Sequence, residues 1–313
     1  MLLEAEYPAV FFINGYGDHL LALPALRALA ALFPGRLALI CARGARSEFF
    51  RDLDLRAVIE IEIRWTKSGR VFDAGATARR VKSCDLLLSL NPWHTRPVDR
   101  LLRSLSPAHS IGFFPSFEIT LPLNFAKHSA DLSFDVPRYL CRSARIDDFA
   151  GPPAFAGRFQ TRARNLRALV PDSQKVLAVH ADTKREKMWP VRRLVKVLNL
   201  FLDRHPQYVV MDIGLKDLRL DRGVHRGRII PCCHLPLPLS MSLVAEANLF
   251  LGVDSCMLHA ADLFRIPGVG LFGPTNVEEW GFRFGGPHRH VSGNGSMNSI
   301  TETQVLEALE SLI

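Results

Sequence analysis

The five residues Ala9-Val10-Phe11-Phe12-Ile13 are all apolar, with no polar side chain at alternate positions to face water. So short and uniform a run marks a strand buried on both faces, as in a parallel sheet covered by helices. It ends at Asn14-Gly15-Tyr16-Gly17-Asp18, whose Asn, Gly and Asp residues suit a tight strand-to-helix turn. A helix is expected over 19–33, with leucines at 20, 23, 26 and 29 on one face. Pro24 has to fall in an early turn of that helix or bend it, and Pro34-Gly35 stops it. A strand at 37–41 completes a βαβ unit. Further strand-like runs at 58–63 and 85–90 extend the alternation into an α/β domain.

The pattern then restarts. Residues 147–165 read as a connector rich in Asp, Pro and Gly that leads into an arginine-rich helix. Beyond it come strands at 176–180, 208–213, 249–253 and 269–272, with helices at 191–204, 242–247 and 302–312. A chain of 313 residues is long enough for two cores. The expected organisation is a first domain over 1–155, a second over 166–300 and a C-terminal helix over 301–313. Ligands of open parallel sheets bind beyond the carboxyl ends of the strands. Loops 14–18, 180–187 and 253–259 are therefore expected to gather at a cleft between two similar halves.

Composition narrows the function classes. An apolar content of 48% and a charged content of 22% are incompatible with a disordered chain. The net charge of +8 is spread, +3 over residues 1–150 and +5 over the rest, and the densest basic runs, 158–167 and 184–187, are short. That distribution argues against nucleic acid and suits phosphate-bearing substrates or an anionic membrane face. The six cysteines form no CxxC pair, and Cys232-Cys233-His234 lacks a second ligand pair at zinc spacing. No metal site is expected, and reduced thiols fit a cytoplasmic protein. The start of the chain is acidic where a signal peptide is basic. Its longest apolar stretch, 20–33, is too short to span a bilayer.

Three constellations can carry chemistry. In Gly15-Tyr16-Gly17-Asp18-His19 the carboxylate of Asp18 is placed either to cap the helix that follows or to act as a base. In the segment 182–190, Lys187 can supply a point charge to a diphosphate. The alternative there is a solvated charged loop with Trp189 as a packing anchor. In Gly252-Val253-Asp254-Ser255-Cys256-Met257-Leu258-His259, helix-start amides and the Ser255 hydroxyl form a natural phosphate cradle. His259, one turn in, either points the same way or is a structural group. A dinucleotide fingerprint is absent, because residues 14–20 lack a third glycine.

Together these segments resemble glycosyltransferase family 9, the ADP-heptose lipopolysaccharide heptosyltransferases. Residues 17–27 resemble the family's Gly-Asp turn and Leu-Pro-Ala-Leu helix, and Lys187-Met188-Trp189-Pro190 its Lys-x-Trp-Pro. Asp254 and His259 fall in its Asp-Thr-Gly-x-x-His loop, and Leu271-Phe272-Gly273-Pro274-Thr275 matches its Leu-Phe-Gly-Pro-Thr. A weaker match runs from Asp85 to Ile111-Gly112-Phe113. The resemblance implies a GT-B fold of two Rossmann-like α/β domains, their parallel sheets facing across a cleft. It implies inverting, metal-independent transfer of heptose from an ADP-linked donor to a glycan such as the lipopolysaccharide inner core, with no resident cofactor. A small-molecule acceptor with another nucleotide sugar, and a non-catalytic nucleotide-binding role, are the alternatives. Asp18 takes the role of general base, with Gly17, His19 and Arg96 on the acceptor side. Thr183, Lys187, Asp254, Ser255, Cys256 and His259 take the donor. The spread positive charge is also compatible with a peripheral place at the inner membrane face. Ser255-Cys256 departs from the family's Thr-Gly: the hydroxyl is kept, but Cys256 puts a side chain where glycine allows close approach.

Overall fold

The wholly apolar runs become central strands. In the computed structural model, which describes residues 2–44, 49–66, 69–222 and 224–313, the chain divides into two compact units, Met1–Ala154 and Phe155–Ile313. The first contains β1 (Pro8–Phe12), α1 (Tyr16–Leu32), β2 (Ala38–Ala42), β3 (Ala57–Ile61), β4 (Arg64–Thr66) and β5 (Gly69–Val71). It continues through α2 (Ala74–Val81), β6 (Leu86–Ser89), α3 (Arg96–Leu105), β7 (His109–Gly112), β8 (Ile119–Thr120) and α4 (Ser129–Leu140). Six of these strands form one parallel sheet in the order β3-β2-β1-β6-β7-β8. The exposed pair β4–β5 is a separate antiparallel hairpin in which Trp65 is opposite Arg70.

The second unit repeats the plan. It comprises α5 (Gly157–Arg167), β9 (Lys175–His180), α6 (Val191–Arg204), β10 (Tyr208–Gly214), β11 (Ile229–Cys233) and α7 (Leu237–Ala245). Then follow β12 (Leu249–Val253), α8 (Cys256–Leu263), β13 (Gly268–Phe272), α9 (Val277–Trp280), β14 (His288–Ser292) and α10 (Glu302–Glu310). Its sheet is parallel throughout, in the order β11-β10-β9-β12-β13-β14. Numbered within each unit, both orders are 3-2-1-4-5-6. The direction of winding reverses between the first and fourth strands, so the crevice of each sheet opens beyond β1/β6 and beyond β9/β12.

Two helices depart from expectation. The first begins at Tyr16 rather than 19, with Gly15 as its N-cap in extended backbone (φ −75°, ψ 173°). Asp18 is therefore not the cap residue. It sits in the first turn and accepts the Gly15 N–H at 2.9 Å. Pro24 lies well inside this helix, where it has no N–H to give the carbonyl one turn back. The segment expected to be helical over 242–247 starts at Leu237 and ends at Ala245. Pro238 falls in its first turn, where a missing N–H costs nothing. Most of its residues are buried, so no polar face marks its start. Among the described residues no helix is long and apolar enough to cross a membrane.

Arg27 on α1 fastens the end of the first unit. Its guanidinium donates to Asp52 Oδ2 at 2.7 Å, and to the carbonyls of Phe149 (3.2 Å), Gly151 (2.7 Å) and Pro152 (2.6 Å). Only 15% of the side chain is exposed. Replacing Arg27 with Met strands a carboxylate and three carbonyls and should lower the unfolding free energy by about 2–4 kcal/mol. Urea denaturation followed by far-ultraviolet circular dichroism measures this; a loss under about 0.5 kcal/mol would show that water replaces the guanidinium without cost.

Candidate active site

In the first unit the turn after β1 is tied to the one after β6. Asn91, fully enclosed, accepts the Ile13 N–H on Oδ1 at 3.1 Å and donates from Nδ2 to the Phe11 carbonyl at 3.0 Å. Trp93 donates its indole N–H to Asn14 Oδ1 at 2.9 Å. These bonds fix residues 13–15, and with them the Gly15 amide that holds Asp18. Asp18 is half-buried at the head of α1.

Beside this turn the carboxyl ends of β1–β3 open into two adjoining cavities. One, of about 420 Å³, is lined by Asn14, Gly15, Arg43, Glu62, Arg64 and Trp65. The other, of about 570 Å³, shares Arg43, Glu62 and Arg64 and adds Asp73, Thr77 and Arg80. Arg43 pairs with Glu62, and Arg80 donates to the Glu60 carbonyl. Asn14 and Gly15 belong to the turn that the sequence singles out; the other lining residues do not stand out there, because they come from strand ends, the hairpin and α2 without a motif.

Of the acceptor-side residues suggested by resemblance, Gly17 lies in the first turn of α1 and Arg96 is exposed at the start of α3. His19 is different. It is 1% exposed, and its ring packs edge-on to Phe12 (5.0 Å) and tilted on Phe50 (5.7 Å). Its Nδ1–H donates to the Gly15 carbonyl at 2.7 Å. Burial pushes its pKa down to about 4, so the ring is neutral at physiological pH. His19 is a core residue that braces the turn, and it presents no face to a substrate.

In the second unit the adjacency of β9 and β12 brings Lys187 and Asp254 together across 67 residues of sequence. Lys187 Nζ lies 2.6 Å from Asp254 Oδ2. The carboxylate is 4% exposed, and His259 Nε2 is 3.8 Å from its other oxygen. His259 itself is 3% exposed and faces the Trp280 ring at 6.5 Å. Ser255 is the N-cap of α8, yet its side chain makes no capping bond. Its Oγ is buried and has no hydrogen-bond partner among the described residues. The same holds for Thr275 Oγ1, just beyond β13. Two buried hydroxyls left unbonded by the fold sit where the strand ends open, which is a costly arrangement unless something else takes them. Cys256 opens α8, and burial pushes its thiol up to about 11, leaving it uncharged. Thr183 is half-buried in the loop after β9. The structure thus gathers Lys187, Asp254, Ser255 and His259 around the head of α8. It adds Trp280, which the sequence did not mark, beside His259; Thr275 follows β13, the strand next to β12.

Two nearby residues are structural. Trp189 is 1% exposed, donates its indole N–H to the Ile300 carbonyl at 3.2 Å and belongs to the core of the second unit. Asp182 ties the loop after β9 to the one after β10, accepting the N–H groups of Leu215 (3.1 Å) and Lys216 (2.9 Å) on Oδ2.

Residues 111–307 match the model of glycosyltransferase family 9 (heptosyltransferase). The chain belongs to that family and is a glycosyltransferase. A family 9 glycosyl transferase from Veillonella parvula has a similar structure: TM-score 0.82 at 18% identity, over 100% of this chain and 98% of that one. The Escherichia coli ADP-heptose lipopolysaccharide heptosyltransferase II aligns with a TM-score of 0.72 at 15% identity, over 98% of each chain. The E. coli heptosyltransferase WaaC with ADP aligns with a TM-score of 0.71 at 16% identity, over 97% of this chain and 100% of that one. At these identities the likeness establishes a shared GT-B fold. No curated protein sequence matched the chain.

Asp212, on β10, is 3% exposed, and burial, with the charges of Asp217, Asp182 and Asp221 added, pushes its pKa up from 3.8 to about 7. In that window the folded chain keeps a proton that the unfolded chain has lost. The stabilisation is complete below about pH 4 and is lost as pH rises through about 7. Asp212→Asn, which cannot ionise, should melt at a higher temperature than wild type at pH 8 and at nearly the same temperature at about pH 3.5. Equal differences at both values, measured by calorimetry, would show that the carboxyl titrates normally.

Proposed function

We propose that the chain transfers heptose from ADP-heptose to a hydroxyl of an anionic glycan, of the kind found in the lipopolysaccharide inner core, inverting the anomeric carbon and using no metal ion. The observation that carries this reading is the buried cluster at the head of α8. Lys187, the unbonded Ser255 hydroxyl and the helix-start amides provide positive charge and donors for a diphosphate, in a chain of the heptosyltransferase family.

In the proposed reaction Asp18 accepts the proton of the acceptor hydroxyl as its oxygen attacks the anomeric carbon. The bond from that carbon to the diphosphate oxygen breaks, and ADP leaves with the electron pair. Lys187, Ser255 and the α8 amides take up the charge that develops on the leaving diphosphate. Asp254 and His259 orient Lys187 and face the sugar, and Thr183 serves the phosphates. No resident cofactor has a part in this chemistry. On the acceptor side, Arg64 and Arg80 line the cavities beside Asp18 and suit an acceptor bearing phosphate or carboxylate groups. Arg96 serves the same acceptor, and Gly17 leaves room for it. The formal charge of +8 favours peripheral contact with an anionic membrane face, where such an acceptor resides.

Asp18→Asn keeps the shape and removes the base. Transfer from ADP-heptose to deacylated lipopolysaccharide core should fall by about 10²–10⁴-fold, while calorimetric binding of ADP is unchanged. Turnover within tenfold of wild type would remove Asp18 from this role. Lys187→Ala should weaken ADP binding by about 10–100-fold, and excess EDTA should leave wild-type turnover intact. Loss of turnover in EDTA, restored by a divalent ion, would refute metal independence.

A further inference from the structure

Trp65 is 71% exposed on the β4–β5 hairpin, so core packing does not account for it. Its cross-strand partner is Arg70. The Arg70 guanidinium carbon lies 4.5 Å from the Trp65 ring centroid and 4.2 Å from that of Trp93. A cation between two indole faces is attracted from both sides. Such stacking fixes the plane of the guanidinium while leaving its edge for other partners. Arg70 Nε is nonetheless buried and without a hydrogen-bond partner among the described residues.

The second indole of this clamp is tied to the turn that carries Asp18. Trp93 donates to Asn14 at 2.9 Å, and Asn14 precedes Gly15, whose amide holds the Asp18 carboxylate at 2.9 Å. Arg70 and Asp18 are within reach of each other's charge. Burial lowers the pKa of the guanidinium, and the negative charge of Asp18 pushes it back up. By reciprocity the positive charge favours the ionised form of Asp18.

We propose that Arg70 is a positioning residue for the transfer reaction: clamped between Trp65 and Trp93, it holds a fixed positive charge beside Asp18 and keeps that carboxylate ionised as an acceptor covers it. The proposal rests on Asp18 as the base. An acceptor that displaces water from a carboxylate raises its pKa and makes it reluctant to stay charged. A cation fixed by two rings opposes this. Other charged groups at this end of the sheet are Arg43 and Glu62, which pair with each other, and Arg64 on the hairpin. His94, next to Trp93 in sequence, is engaged with Asp99 at 2.7 Å, and His19 is buried and neutral. Among these described groups, Arg70 is the one held rigidly by aromatic faces.

The test needs no acceptor. Full-length protein labelled with ¹³C at the aspartate carboxyl carbons is titrated by NMR, and the Asp18 signal is identified by its loss in Asp18→Asn. In Arg70→Met the Asp18 midpoint should rise by roughly one pH unit, the effect of one unit charge near a half-buried site. Arg70→Lys, which keeps the charge, should restore the wild-type midpoint. Trp65→Ala, at an exposed position, should shift the midpoint the same way by less, and it serves as the probe if Arg70→Met does not fold. An unmoved midpoint in the folded variants overturns the proposal. The base role is judged separately: if Asp18→Asn still transfers heptose from ADP-heptose, that reading fails whatever the titration shows.

Discussion

The ion pair between Lys187 and Asp254 is the contact on which the second unit's site depends. A carboxylate as enclosed as Asp254 is tolerated only with a close partner, because desolvating it alone costs several kcal/mol. Lys187 at 2.6 Å, with the positive end of α8 starting two residues on, offsets that cost. The partners meet because β9 and β12 are neighbours at the point where the sheet reverses its winding. Parallel topology thus decides which loops touch, and the charge pair decides how firmly they are held. The buried Ser255 hydroxyl, on the residue after Asp254, sits in that same rigid surround, already stripped of water. Little reorganisation is left for a phosphate to induce.

The two units use one topology to opposite electrostatic ends. Beyond its first strand the first unit presents Asp18, steadied by the Gly15 amide and by the Asn14–Trp93 and Asn91 bonds behind it. At the equivalent place in the second unit stands Lys187. A turn that follows the first strand of a 3-2-1-4-5-6 sheet is braced on both sides by neighbouring strands. It is therefore a stable mount for whichever charge the chemistry requires. Evolution of function on such a frame consists of changing one or two side chains at a fixed address.

Much of this frame was legible in the sequence, and the reasons are local. β1, β9, β12 and β13 are short apolar runs with turn residues at their ends, and such runs have few alternatives to a buried strand. The helix Val191–Arg204 lies where its amphipathic spacing places it. Where burial is complete the signal fails: α7 has no polar face, so its start was read five residues late. The role of His19 was hidden for a related reason. Its neighbours Phe12 and Phe50 come from elsewhere in the chain, and only tertiary packing shows that the ring is enclosed. The β4–β5 hairpin has neither period nor turn motif among its described residues, so the clamp on Arg70 was invisible until Trp93 was seen beside it. Asp18, Lys187, Asp254 and His259 stood out because they sit in compact motifs, and Thr275 ends another, whereas Trp280 lies in no motif.

The repeated strand order also governs how the chain can acquire its shape as it is synthesised. In each sheet the strand made first lies in the interior, flanked by the second and the fourth. β1 therefore keeps one edge open until β6, near residue 89, has emerged from the ribosome, and β9 waits in the same way for β12. Such non-local parallel pairing is slow and leaves apolar strand edges uncovered meanwhile. Because each sheet draws only on strands of its own unit, the first can complete its strand pairing while the second is still being translated. At any moment of synthesis, only one unfinished sheet has to be shielded from aggregation.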